Sequence, residues 1–199
     1  TMFVLQEGHN RMDQFPKGQI LFRNFTKLSE KSLLDVLAQR NATRIRIAMN
    51  NSNIISLSEH LYFCEQLKTD KTKLYTQVLL NDKFIGVMDL QHIDYKEKTY
   101  EPGSYFIEGI SENVMIACSC AFSRVCLDLD IYYPRIVIKS SNLRSIMFNT
   151  MKLGNRVVSE NEEFYILTKD FLNPALRSRE EIIKNIETVT KGYKVVYEI

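Results

Sequence analysis

The sequence predicts an α+β (mixed α/β) domain, with a central twisted mixed sheet flanked by helices. Three observations support this. Apolar residues recur at helical spacing in several long segments. Strand-like runs lie between these segments, some of them joined by hairpin signals. The composition is that of an ordinary soluble domain, with 45% hydrophobic and 25% charged residues, and 199 residues are enough to bury one sizeable core.

Residues 1–19, ending in "PKGQ" and Ile20's neighbour, are expected to form an N-terminal extension, 20–175 the main domain, and 176–199 a C-terminal helix-strand extension of that domain. "ILFRNF" (20–25) is a short strand. "SEKSLLDVLAQR" (29–40) is a helix with Ser29 as its N-cap and Leu33, Leu34 and Leu37 on one face. "TRIRIAM" (43–49) is short and extended or irregular. "SLSEHLYFCEQLK" follows as a helix, and Ser56 with Glu59 makes a capping box at its start.

The period then changes. "KLYTQVLL" (73–80) and "KFIGVMDLQHI" (83–93) are strands around the hairpin signal "ND", and "GSYFIEGI" (103–110) is a third strand. "SENVMIACSCAFSRVCLDLD" (111–130) is a deeply buried helix. "PRIVIKS" (134–140) is a strand, and "NLRSIMFNTMKLG" (142–154) is a helix stopped by Gly154. "NRVVSENEEFYILTKDF" holds a strand pair turning at "SENE". "SREEIIKNIETVTKG" (178–192) is the last helix, before a strand in "YKVVYEI". The closing segment is open to two roles, extending the sheet or contacting a second copy in a homodimer.

The charge and cysteine patterns narrow the function classes. A net charge of +2 gives no argument for nucleic acid or for an anionic membrane. No apolar run approaches the roughly 18 residues of a membrane span. "TMFVLQEGHNRMDQ" lacks the basic start and long apolar stretch of a secretory leader, so a cytoplasmic protein is expected. Cys118, Cys120 and Cys126 lie in an apolar helical pattern without a nearby histidine, and these three with Cys64 are expected to be buried thiols rather than metal ligands. Lys68, Lys71 and Lys73, with Asp70 among them, form a solvated helix end and loop.

The order of elements from 20 to 171 has a familiar form. So do "QRN" (39–41), Met49, "ISLSEHLYFCEQL" (55–67), "IGVMDLQHID" (85–94) and "VIKSSNLRS" (137–145). Together they resemble the Gcn5-related N-acetyltransferase (GNAT) superfamily, and within it bacterial nucleotide-amino-sugar N-acetyltransferases of the pseudaminic acid pathway type. The resemblance covers about three quarters of the chain. It implies a GNAT-like fold with a splayed sheet. It also implies acetyl-CoA as co-substrate, the amine of a nucleotide-linked amino sugar as acceptor, and no nucleic acid or membrane partner.

By position in this resemblance, Arg40 and His60 lie on the acceptor side. Gly109, Ile110 and Ser111 fall in the loop that holds the coenzyme pyrophosphate, and Asn142 and Ser145 open the helix after the coenzyme-binding strand. The superfamily brings the acceptor amine to the strand 83–93, so Asp89 and His92 are the candidate proton acceptors. Arg40 has two roles open to it, a solvated helix end or an anion contact to a nucleotide phosphate. His60 lies beside the stripe of Leu57, Leu61 and Cys64, and is expected to face a substrate cleft next to Arg40 rather than the core.

Two residues depart from the family pattern. Glu112 occupies the positive end of helix 111–130, where it would repel a pyrophosphate, and the loop before it has Gly109 alone. Asn149, or Phe148 in a shifted register, stands where the family has a tyrosine general acid. These departures favour an alternative function, a GNAT-like domain with a degenerate coenzyme site acting as a non-catalytic ligand- or protein-binding module. An unrelated α+β interaction domain is a third.

Overall fold

The structure, a computed structural model, describes residues 17–173 and 176–199. Most of the expected N-terminal extension lies outside these residues.

The first half is one strand, three helices and three strands: β1 (Gly18–Asn24), α1 (Glu30–Asn41), α2 (Thr43–Arg46), α3 (Leu57–Gln66), β2 (Leu74–Leu80), β3 (Lys83–Asp94) and β4 (Thr99–Phe106). The second half is α4 (Glu112–Asp128), β5 (Tyr133–Pro134), β6 (Ile136–Lys139), α5 (Leu143–Met147), β7 (Asn155–Glu160), β8 (Phe164–Lys169), α6 (Arg179–Val189) and β9 (Tyr193–Glu198). Local chemistry explains several of the boundaries. Ser29 and Ser56 cap α1 and α3 through Ser32 N and Glu59 N, and Glu59 returns a bond to Ser56 N at 2.8 Å. Asn81 and Asp82 both take positive φ, 50° and 63°, as a tight hairpin turn between β2 and β3 requires.

The strands form two sheets where the sequence suggested one. The larger runs β5-β4-β3-β2-β1-β9 and the smaller β6-β8-β7. Neighbours from β1 to β4 are antiparallel, whereas β9 lies parallel to β1 and β5 parallel to β4. On one face of the large sheet Ile20, Phe22, Val78, Met88 and Leu90 pack against Ala117, Cys118, Ala121, Phe122 and Val125 of α4. On the other face Phe25, Val36, Cys64, Leu67 and Val87 join α1 and α3 to the sheet. Cys64, Cys118 and Cys126 are buried, and Cys120 is half-buried.

The local differences from the sequence expectation also have physical causes. The strand expected at 103–110 runs from Thr99 to Phe106: Tyr133 and Pro134 pair with its start, and after Ile107 N makes a last bond to Ile85 O the chain turns at Gly109, which takes φ 85°. The segment expected to be extended at 43–49 contains the helical turn α2. The helix expected at 142–154 is α5 followed by a wider π turn over Phe148–Lys152.

The expected splay lies between β4 and β6. Thr99 and Tyr100 pair with β5, and Arg135 N donates to Tyr100 O at 2.8 Å. Beyond Pro134 the chain leaves β4, and Ile136 to Lys139 pair with β8 instead. The rest of β4 therefore presents an open edge along a cleft whose second wall is β6 with α5.

Candidate active site

The open edge of β4 follows from strand alternation. Tyr100 O bonds toward β5, so the backbone groups of Pro102, Ser104 and Phe106 face the same way. Pro102 has no N–H, which costs little on an edge without a neighbouring strand. The N–H and C=O of Ser104 face the cleft. Phe106 O accepts a bond from Arg44 Nη2 at 2.8 Å.

Beside this edge lies Asp89. It pairs across β3 with Gly103 of β4 on one side and with Tyr75 of β2 on the other. Its side chain is 7% exposed, and Gln91 Nε2 donates to its Oδ1 at 2.8 Å. A side chain on Gly103 would meet the carboxylate at 2.6 Å, so this glycine is what allows the carboxylate to lie against β4. Burial pushes the Asp89 pKa up to about 6, and the Gln91 bond offsets only part of that rise. Among the described residues no cation forms an ion pair with Asp89. Tyr75 and Tyr105 lie close by on the same face, and burial raises both phenols above their ordinary value.

Arg40, at the end of α1, acts electrostatically on both tyrosines. Its Nη2 donates to Asn51 O at 2.7 Å, while its Nη1 is buried without a hydrogen-bond partner. Arg46 is similar: Nη1 donates to Ser52 O at 2.7 Å, and Nε is buried and unpartnered. Among the described residues no carboxylate forms an ion pair with Arg40, Arg44 or Arg46. Buried N–H groups on neighbouring cations favour an anionic guest.

The two histidines of the prediction lie elsewhere. His60 is 5% exposed in the seam between α1 and α3, where its Nε2–H donates to Leu33 O at 3.0 Å and Cys64 Sγ lies 3.7 Å away. Burial lowers its pKa, which favours the neutral ring. This corrects the expectation of a cleft-facing His60: α1 packs over the helix face that the sequence left open. His92 is not brought together with Asp89. A bulge after Gln91 puts His92 at φ 48° and turns its ring outward, 69% exposed, with Nδ1 3.0 Å from Glu101 Oε2. Glu101 also pairs with Arg135, at the closed end of the splay.

The phosphate-loop candidates stand at the other end of β4. Gly109 takes φ +85° with open space around it. Ile110 packs partly into the core, and Ser111 caps α4 by accepting from Val114 N at 3.4 Å. The amides of Glu112 and Asn113 have no carbonyl to bond within the helix. Glu112 pairs with Lys152 Nζ at 2.9 Å. On the other wall, Asn142 caps α5 by accepting from Ser145 N at 3.2 Å and donates to Ala48 O at 3.4 Å. Asn149 bridges Ser145 O and the side chain of Asn155.

No protein-family model matches this chain. It is 24% identical over 159 residues to the acetyltransferase PseH of Campylobacter jejuni, covering 79% of this chain and 94% of that protein. The solved structure of C. jejuni PseH in complex with acetyl coenzyme A superposes with a TM-score of 0.59 at 20% identity, covering 75% and 96% of the two chains. Spermidine N-acetyltransferase from Vibrio cholerae, in complex with CoA and spermine, superposes at 0.61 and 14% identity, covering 75% and 94%. The fold is that of the GNAT N-acetyltransferases.

The resemblance read from the sequence is thus borne out. The GNAT fold places its parts here as the geometry requires: a splay between parallel strands, an open β4 edge and a helix starting beyond it. These features fit acetyl-CoA. The Ser104 N–H faces the cleft, Gly109 has open space around it, and the first amides of α4 follow it. Sequence reasoning missed Gly103, Tyr105, Arg46 and Lys152. Gly103 alone carried a local signal, since a glycine inside a strand marks a close approach.

Proposed function

We propose that this chain is an N-acetyltransferase that moves acetyl from acetyl-CoA to the amine of a nucleotide-linked amino sugar. The observation that carries this is the buried carboxylate of Asp89, with its pKa pushed up to about 6, lying against Gly103 on the strand whose other edge opens into the splay. Asp89 takes the proton of the acceptor ammonium, directly or through one water. The free amine then attacks the thioester carbon, a C–N bond forms, and as the C–S bond breaks the nitrogen releases its remaining surplus proton to solvent, leaving a neutral amide and the coenzyme thiolate. The Ser104 N–H holds the carbonyl oxygen as negative charge develops on it. Asn149 has no proton to give the departing thiolate, so that proton comes from solvent.

The arginines support the acceptor class. A polyamine would meet Arg40, Arg44 and Arg46, which no carboxylate neutralises among the described residues, whereas nucleotide phosphates would be attracted to the same three guanidiniums. His92, at the closed end of the splay, serves at most through water. Asn142 and Ser145 line the second wall beside the pantetheine arm, and Gly109, Ile110 and Ser111 take the phosphate end. The outer edge of β9, which no strand covers among the described residues, is the surface for a homodimer.

Thiol release measured with a UDP-linked amino sugar and with spermidine tests the assignment. The amino sugar should turn over and spermidine should not. The second function, a non-catalytic ligand-binding module, rests on Asn149 at the tyrosine position. It is adopted if calorimetry finds acceptor binding without acetyl transfer.

A further inference from the structure

Glu112 would repel a coenzyme phosphate if it stood alone, but it is paired with Lys152. The pair joins the first turn of α4, which follows β4, to the π turn after α5, which follows β6. It therefore bridges the two walls of the splay. Its partners keep 45% and 50% exposure, so water competes well for both and the bond exchanges easily. The loop before α4 offers one glycine, Gly109, and no cation. Phosphate charge at this end must be met by side chains from elsewhere. Lys152 ends a π turn, a local widening that is frequent at functional sites.

We infer that Lys152 is a coenzyme-phosphate residue that leaves Glu112 for a phosphate of acetyl-CoA when the coenzyme enters. This rests on the acetyltransferase assignment above. A phosphate group carries more charge than a carboxylate and offers three acceptor oxygens, so it wins the ammonium. Before the coenzyme enters, Glu112 is the counter-ion of Lys152. It holds Lys152 in place, balances the positive end of α4, and turns to solvent once the coenzyme is bound.

The test is calorimetry of acetyl-CoA binding to the wild type, Lys152→Met, Glu112→Gln and the double variant, at low and high salt. Lys152→Met should weaken binding about tenfold. Glu112→Gln should tighten it a few-fold, because Lys152 is released in advance. The tenfold loss from Lys152→Met should persist in the Glu112→Gln background and shrink at high salt. If Lys152→Met is neutral in that background, Lys152 merely shields Glu112 and the inference is overturned. A loss unchanged by salt overturns it too, since the residue would then act through packing. If the wild type itself fails to bind acetyl-CoA, the acetyltransferase assignment falls and this inference falls with it. Unfolding midpoints should agree among the four proteins, because the pair is exposed.

Discussion

Replacing Asp89 by Asn removes a charge while keeping the shape and the acceptor oxygen for Gln91 Nε2. Burial raises the carboxyl from its ordinary 3.8 to about 6 in the folded protein. The folded state therefore holds a proton that the unfolded state has released at any pH between these values. Stability is fully present below pH 4, falls as pH rises toward 6, and is level above it. A rise of roughly 2 units corresponds to about 3 kcal/mol. Denaturant unfolding at pH 4.5 and pH 7.5 should show about 2 kcal/mol of this loss in the wild type, the remainder falling below pH 4.5, and none of it in Asp89→Asn, making the variant the more stable protein at neutral pH. Activity should move in the opposite sense. The base works only when ionised, so the wild-type rate should climb through pH 6, and Asp89→Asn should lose about 100-fold or more. A wild-type rate flat from pH 5 to 7, together with an active Asp89→Asn, would refute the role of Asp89 as base.

The structure gives three further expectations. His60→Ala should lower stability by about 2 kcal/mol, leaving Leu33 O unpaired and a cavity in the α1–α3 seam, with acceptor affinity unchanged in calorimetry. Arg40→Met should raise the acceptor KM about tenfold with little change in kcat, and free UDP should inhibit the variant less strongly than the wild type. Gly103→Ala should drive a methyl into the Asp89 carboxylate, 2.6 Å away, costing about 1–3 kcal/mol by denaturation and most of the activity.

The sequence alone determined what depends on bonds between near neighbours. Ser29 and Ser56 with Glu59 announced helix starts because a cap bonds an amide three residues on. Asn81 and Asp82 announced a hairpin because few residue pairs accept two positive φ angles. The family pattern added the splayed mixed sheet. Tertiary packing decided the rest. His60 lies at the edge of an apolar stripe, and only the docking of α1 shows that its ring is covered. His92 is three residues from Asp89, so strand alternation already sets them on opposite faces, and only the structure shows the bulge after Gln91 that brings the His92 ring to Glu101. Glu112 looked like a bar to the coenzyme until Lys152, from the far wall of the cleft, proved to hold it. Local hydrogen bonding is written in adjacent residues. The meeting of distant side chains depends on the pairing order of strands and the packing of helices over them, and no short stretch of this chain encodes either.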